Sequence, residues 1–197
     1  MTARVLQDAT HKMLIDTGLF ALLERAFGGP MVAGSAGYDL MVYRQVDIWM
    51  PFEPERASEF AGFIHELVTL FTEAKCTLPR ASFLNAYLEP HPVGQAFSWR
   101  LDFTDATNRS WTVDLWAFEP FDYAARQARD FAFRTDLLAT DRDLILRLKS
   151  EARERGQGYY GTRISAWDIY QFVLAGAGDS LSTLEIWKLK QATIAAG

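Results

Sequence analysis

The sequence predicts an α+β fold, with a strand-rich core and a helical C-terminal part. Three observations lead there. Short alternating or apolar runs that suit strands crowd between residues 31 and 118. Stretches with helical periodicity lie before, among and after them. No internal repeat or low-complexity tract interrupts that order, so helix, mixed strands and then helices describe one α+β layout.

The elements follow in turn. From 5 to 27, Val5, Met13, Leu14, Leu19, Leu22 and Leu23 recur on a helical face, and Gly28, Gly29 and Pro30 stop the helix. Met31, Val32 and Ala33 form a short apolar strand that runs into a Gly34-Ser35 turn. From 45 to 52 the pattern alternates: Val46, Ile48 and Met50 face one way, Gln45, Asp47 and Trp49 the other. Pro54 opens a helix to about Ala74, with Phe60, Phe63, Ile64, Leu67 and Phe71 on one side. Strands are expected at 82–88, 95–103 and 110–118, with residues 105–109 (DATNR) as the hairpin turn between the last two. Trp111, Val113, Leu115 and Ala117 share one face of the last strand, and Thr112, Asp114, Trp116 and Phe118 the other. Helices are expected at 122–138, 141–155, 165–175 and 181–192, with capping boxes at Thr140/Asp143 and Ser182/Glu185. Gly156, Gly158 and Gly161 mark the most flexible link. The expected organisation is a core at 1–120 and a helical part at 121–197.

Composition bounds the function. A chain of 197 residues, 49% hydrophobic and 23% charged, can bury a sizeable core. The formal net charge of -5 argues against a long nucleic-acid partner. Arg153, Arg155 and Arg163 cluster, but Glu151 and Glu154 interrupt them, as on a solvated helix end. The single cysteine, Cys76, excludes an internal disulfide and suits a reducing compartment; it reads as a small buried filler. Residues 1–12 carry charges and lack a signal peptide's apolar centre. No stretch reaches the ~20 apolar residues of a membrane span. A cytoplasmic protein without membrane contact is expected. His11, His65 and His91 lack metal-ligand spacing.

Three pieces carry candidate chemistry: the strand ending in Gly34-Ser35, the strand Gln45-Val46-Asp47-Ile48 shortly after it, and Val113-Asp114-Leu115-Trp116 on a later strand. Together they resemble the DNA polymerase β-type nucleotidyltransferase superfamily, in a divergent bacterial branch. That pattern has a Gly-Ser turn, an Asp-x-Asp pair on the next strand and a third Asp on a later strand. The likeness also touches residues 38–44.

The resemblance implies a nucleotidyltransferase-like mixed sheet flanked by helices. It implies a transferase that moves a nucleoside monophosphate from a nucleoside triphosphate to a hydroxyl of a small molecule or protein, with Mg²⁺ or Mn²⁺. Residues i and i+2 of a strand point the same way, so paired carboxylates face the same metal ions. On this likeness Asp47 and Asp114 are catalytic and metal-binding, with Asp114 also the base. Gly34, Ser35, Arg44 and Trp49 are nucleotide-binding. Gln45 holds the first metal position.

This sequence departs from the pattern there: Gln45 offers a neutral oxygen where the family has an anion. Gly37, only two residues beyond Ser35, is also shifted. Whether the chain is an enzyme therefore stays open against an impaired nucleotide-binding or interaction protein that keeps the fold. Plainer readings stand beside each residue. Asp47 and Asp114 also read as ion-pair partners of Arg44 or Arg100, and Ser35 as a turn hydroxyl. Asp39 reads as a substitute carboxylate or as the cap of a following helical turn. Arg44 reads as a triphosphate ligand or as a solvated side chain, and Trp49 and Trp116 as base-stacking or core residues.

Overall fold

A computed structural model describes residues 2–88, 91–156 and 164–195. The expected glycine link at 158 and 161, and Arg163, lie outside them. The architecture is α+β, with a five-stranded mixed sheet and helices. Among the described residues no helix is long and apolar enough to cross a membrane. The chain divides into two compact units, Met1–Asp130 and Phe131–Gly197. The division falls inside a helix, Pro120–Leu138, and not at its start.

In the first unit the expected helix at 5–27 is two helices, α1 (Ala3–Thr17) and α2 (Leu19–Phe27). Gly18 lies between them at φ 70°, and its N–H caps Ile15 O. A left-handed residue cannot continue a right-handed helix, and glycine adopts that conformation without a Cβ clash. Strand β1 (Met31–Ala33) leads into a four-residue helix α3 (Gly34–Gly37), where a bare turn was expected. Strand β2 (Gln45–Pro51) follows. The expected helix at 54–74 is a 3-10 turn at Pro54–Arg56, then α4 (Ala57–Gly62) and α5 (Ile64–Glu73), with a break at Phe63. Phe60, Phe63, Leu67 and Phe71 are nevertheless buried together, so the apolar face is as read.

Strands β3 (Thr77–Asn85), β4 (Phe97–Thr104) and β5 (Ser110–Phe118) complete the sheet, in the order β1-β2-β5-β4-β3. β2 and β5 run parallel; every other neighbouring pair is antiparallel. β3 lies several residues earlier than the expected 82–88. It is an edge strand carrying Pro79, its register with β4 shifts between Thr77 and Arg80, and its burial does not alternate. A strand paired on one side needs no clean two-residue pattern, and proline is tolerated there.

One sheet face is packed. Val46, Ile48 and Met50 of β2, Trp99, Leu101 and Phe103 of β4, and Trp111, Val113 and Leu115 of β5 are buried with α1, α2, α4 and α5 residues in a single cluster. Rings knit it: Phe27 meets Phe63 edge-on at 4.7 Å between centroids, and Phe71 meets Phe103 at 4.5 Å. Cys76 packs half-buried at its margin, and burial pushes its thiol up.

The second unit contains the end of α6 (Pro120–Leu138), then α7 (Arg142–Glu154), α8 (Ala166–Leu174) and α9 (Leu181–Ala195). Its caps differ from those expected. Asp141, not Thr140, accepts from Leu144 N at 2.9 Å, while the Thr140 hydroxyl donates to Leu137 O. The capping box forms instead at Ser165/Asp168. At α9 it is Ser180, not Ser182, that accepts from Thr183 N, at 3.3 Å. In each case a neighbouring short polar side chain reaches the open N–H better. Lys149 is buried and donates to the Tyr170 hydroxyl at 2.9 Å.

Candidate functional site

The candidate residues gather on the other face of the same sheet. Because register partners point to the same side, the pairing arranges them in rows. One row reads Asp47, Asp114, Arg100, Ser82 across β2, β5, β4 and β3. The next row is Gln45, Thr112, Asp102, and on the other side lies Trp49, Trp116, Ser98. Asp47 and Asp114 are direct neighbours on parallel strands, which lie ~4.8 Å apart in any sheet. Alternation had placed both carboxylates on the correct face; the parallel pairing of β2 with β5 makes them adjacent.

Ala33 is the register partner of Asp47, so Gly34-Ser35 emerges beside that carboxylate. Gly34 has φ 58°, and a Cβ there would come 2.9 Å from Asp47 Oδ2. Glycine is therefore required twice over, by the backbone and by the close approach. Asp39 follows α3 at φ 56°, and no helical turn succeeds it, so the expected capping role does not arise. Tyr38 donates to Asp130, which ties the segment after α3 to α6.

Asp114 is almost fully enclosed, at 5% exposure. Gln45 Nε2 donates to its Oδ2 at 2.7 Å. Arg100 Nη1 stands 3.4 Å from both carboxylate oxygens. Of the two plain readings, the ion pair with Arg100 is therefore present. These 3.4 Å contacts are long for charge-assisted bonds, which run ~2.7–2.9 Å. Burial pushes the Asp114 carboxyl up from its ordinary value, and Arg100 and Gln45 only partly offset it.

The remaining assigned residues divide. Arg44 precedes β2, and its guanidinium lies 5.7 Å from the centroid of Trp111. Trp111 belongs to the helix-packed face of the sheet. Trp49 and Trp116 lie on the carboxylate face and pack, half-buried, around Ala96, Phe118 and Tyr123. Trp49 meets Phe118 edge-on at 5.7 Å. Both indoles thus take part in packing. Asp102 went unmarked in the sequence, and Tyr43 was marked only as part of the segment 38–44. Asp102 accepts from Thr112 Oγ1 at 2.8 Å and lies 3.8 Å from Arg100 Nε; Tyr43 donates to Gln45 Oε1 at 2.9 Å. The alternation of Ser98, Arg100 and Asp102 with Trp99, Leu101 and Phe103 was the available signal for β4.

A divalent cation fits this arrangement poorly. Among the described residues no group of three or more His, Cys, Asp and Glu side chains is arranged to hold a metal ion. Gln45 turns its N–H, not its oxygen, toward Asp114, and a permanent cation already faces that carboxylate. Mg²⁺ is commonly held by one or two carboxylates together with waters and phosphates, and here one of the two, Asp114, already faces Gln45 and Arg100. Comparison with protein-family models, curated proteins and solved structures gives no match.

Proposed function

We infer that the chain is a nucleotidyltransferase-like protein whose transfer chemistry is impaired, and whose fold is kept for binding a nucleotide or a partner. The adjacency of Asp47 and Asp114, with Gly34-Ser35 beside Asp47, supports the family likeness. The observation that carries the impairment is the engagement of Asp114 by Gln45 and Arg100. Phosphoryl transfer rests on positioning and on neutralising charge with metal ions. Here the third carboxylate is neutralised by protein groups instead.

A second reading is an active transferase acting on a hydroxyl of a small molecule or protein. The side-by-side carboxylates favour it. There Ser35 contacts the phosphates and Asp114 takes the hydroxyl proton. One assay separates the two. Pyrophosphate release is measured for each of the four nucleoside triphosphates with candidate hydroxyl acceptors and Mn²⁺, alongside calorimetric titration of nucleotide. The expected result is no release. Nucleotide binding without release marks a nucleotide-binding protein, and neither marks an interaction protein. Release that disappears in Asp114→Asn would overturn the inference in favour of the enzyme.

A further inference from the structure

The contacts around Asp114 form a chain of mutually fixed groups. The Tyr43 hydroxyl donates to Gln45 Oε1, and Gln45 Nε2 donates to Asp114 Oδ2. Flipping the amide would put its oxygen against the carboxylate, so Asp114 sets its direction, and the Tyr43 hydroxyl, which can donate or accept, then donates to Oε1. On the other side Arg100 lies between Asp114 and Asp102, and Thr112 holds Asp102. The Arg100 side chain is about three-quarters buried, at 27% exposure.

We propose that Arg100 is the resident cation of this site: with Gln45 it takes the positions on Asp114 that a divalent cation would use, and so keeps Mg²⁺ and Mn²⁺ from the Asp47–Asp114 pair. The proposal rests on the nucleotidyltransferase-like reading of this face. A guanidinium keeps its charge at every ordinary pH and spans two carboxylates with a rigid fork, which suits it to this task better than an ammonium. A metal ion approaching Asp114 meets both this like charge and an N–H donor where it needs an oxygen. Gln45 alone removes one anion; Arg100 adds a cation. Between them they invert the electrostatics of the third-carboxylate position while leaving the strand pairing intact.

The test is Mn²⁺ binding, followed by the paramagnetic resonance signal of the free ion. It compares the wild type, Gln45→Asp, Arg100→Met, Arg100→Lys and the Gln45→Asp/Arg100→Met double variant. Met keeps the apolar stem of Arg100 without its charge. Wild type and Arg100→Lys are expected to show no saturable binding at millimolar Mn²⁺. Arg100→Met should gain at least about tenfold in affinity, and the double variant more, because each change removes a repulsive element near the cation. Circular dichroism and urea midpoints establish folding; should the double variant fail to fold, Arg100→Met against Arg100→Lys decides. Saturable binding by the wild type that Asp114→Asn abolishes would overturn the proposal, as would Arg100→Met binding no better than wild type. Pyrophosphate release is read in parallel: release by the wild type defeats the functional reading, whereas Mn²⁺ on Asp114 without release defeats only this inference.

Discussion

Asp105→Ala should cost the fold about 3 kcal/mol in urea unfolding, the upper part of the range for orphaning buried donors. Asp105 opens the β4–β5 hairpin turn. It accepts from Thr107 N at 2.8 Å, Thr107 Oγ1 at 2.6 Å, Arg109 N at 3.1 Å and Arg109 Nε at 3.0 Å. It also accepts from the indole N–H of Trp111 at 2.9 Å, and Trp111 is 2% exposed. Alanine leaves that indole donor buried without its acceptor and frees the turn. The pH dependence gives the sign. Burial pushes the Asp105 carboxyl up, but the donors from Thr107, Trp111 and Arg109 outweigh it and hold the group well below the carboxylate range. A lowered native value stabilises the protein above the unfolded value, about 3.9, and that stability is lost as the pH falls toward the native one. The gap between wild type and Asp105→Ala should therefore be constant near neutrality and narrow below about pH 4. A gap that persists unchanged in strong acid would show that the carboxylate's charge plays no part.

Gly37→Ala should cost about 2 kcal/mol and disturb the segment before β2, as overpacking against an unyielding neighbour does. A Cβ at Gly37 would stand 2.6 Å from Val32 O and 3.3 Å from Val32 C. Both are backbone atoms of β1, and β1 is held in register by β2. The strand or α3 must move, and Gly34 and Ser35 move with it. The same substitution at Gly62, where a Cβ would meet nothing within 4 Å, should be close to neutral. Equal melting temperatures for Gly37→Ala and wild type would refute the close packing of α3 on β1.

These two positions also show what was legible beforehand. The Asp105 turn was readable because its signal is local: a short polar run between two alternating segments. So was the inward face of β2, where Val46, Ile48 and Met50 alternate cleanly and are all fully buried. Gly18 broke a helix that periodicity joined, since α1 and α2 bury their apolar residues in one cluster and the phase of the pattern hides the break. The edge strand β3 lacks the two-sided burial that creates alternation, and its start was read late. At the site, spacing put Asp47 and Asp114 on matching faces, but the hold on Asp114 joins residues 69 and 14 apart in sequence. No local pattern records such a contact. Gln45 was visible as a departure from the pattern the sequence resembles; its amide donating to Asp114 was not, because that contact depends on the pairing of β2 with β5.

On the proposed reading, Gln45 and Arg100 hold Asp114 in the place of a metal ion. The most direct measurement is the unfolding free energy of wild type and Asp114→Asn across pH, with and without millimolar Mn²⁺. Burial raises the native value of the Asp114 carboxyl above the unfolded one. The native state then holds the proton more tightly, so the wild type loses stability as the pH rises from the unfolded value through the native one, while asparagine does not titrate. Asp114→Asn should gain on wild type through that window, and Mn²⁺ should shift neither protein. Stabilisation of the wild type by Mn²⁺ that is absent in Asp114→Asn would contradict this reading.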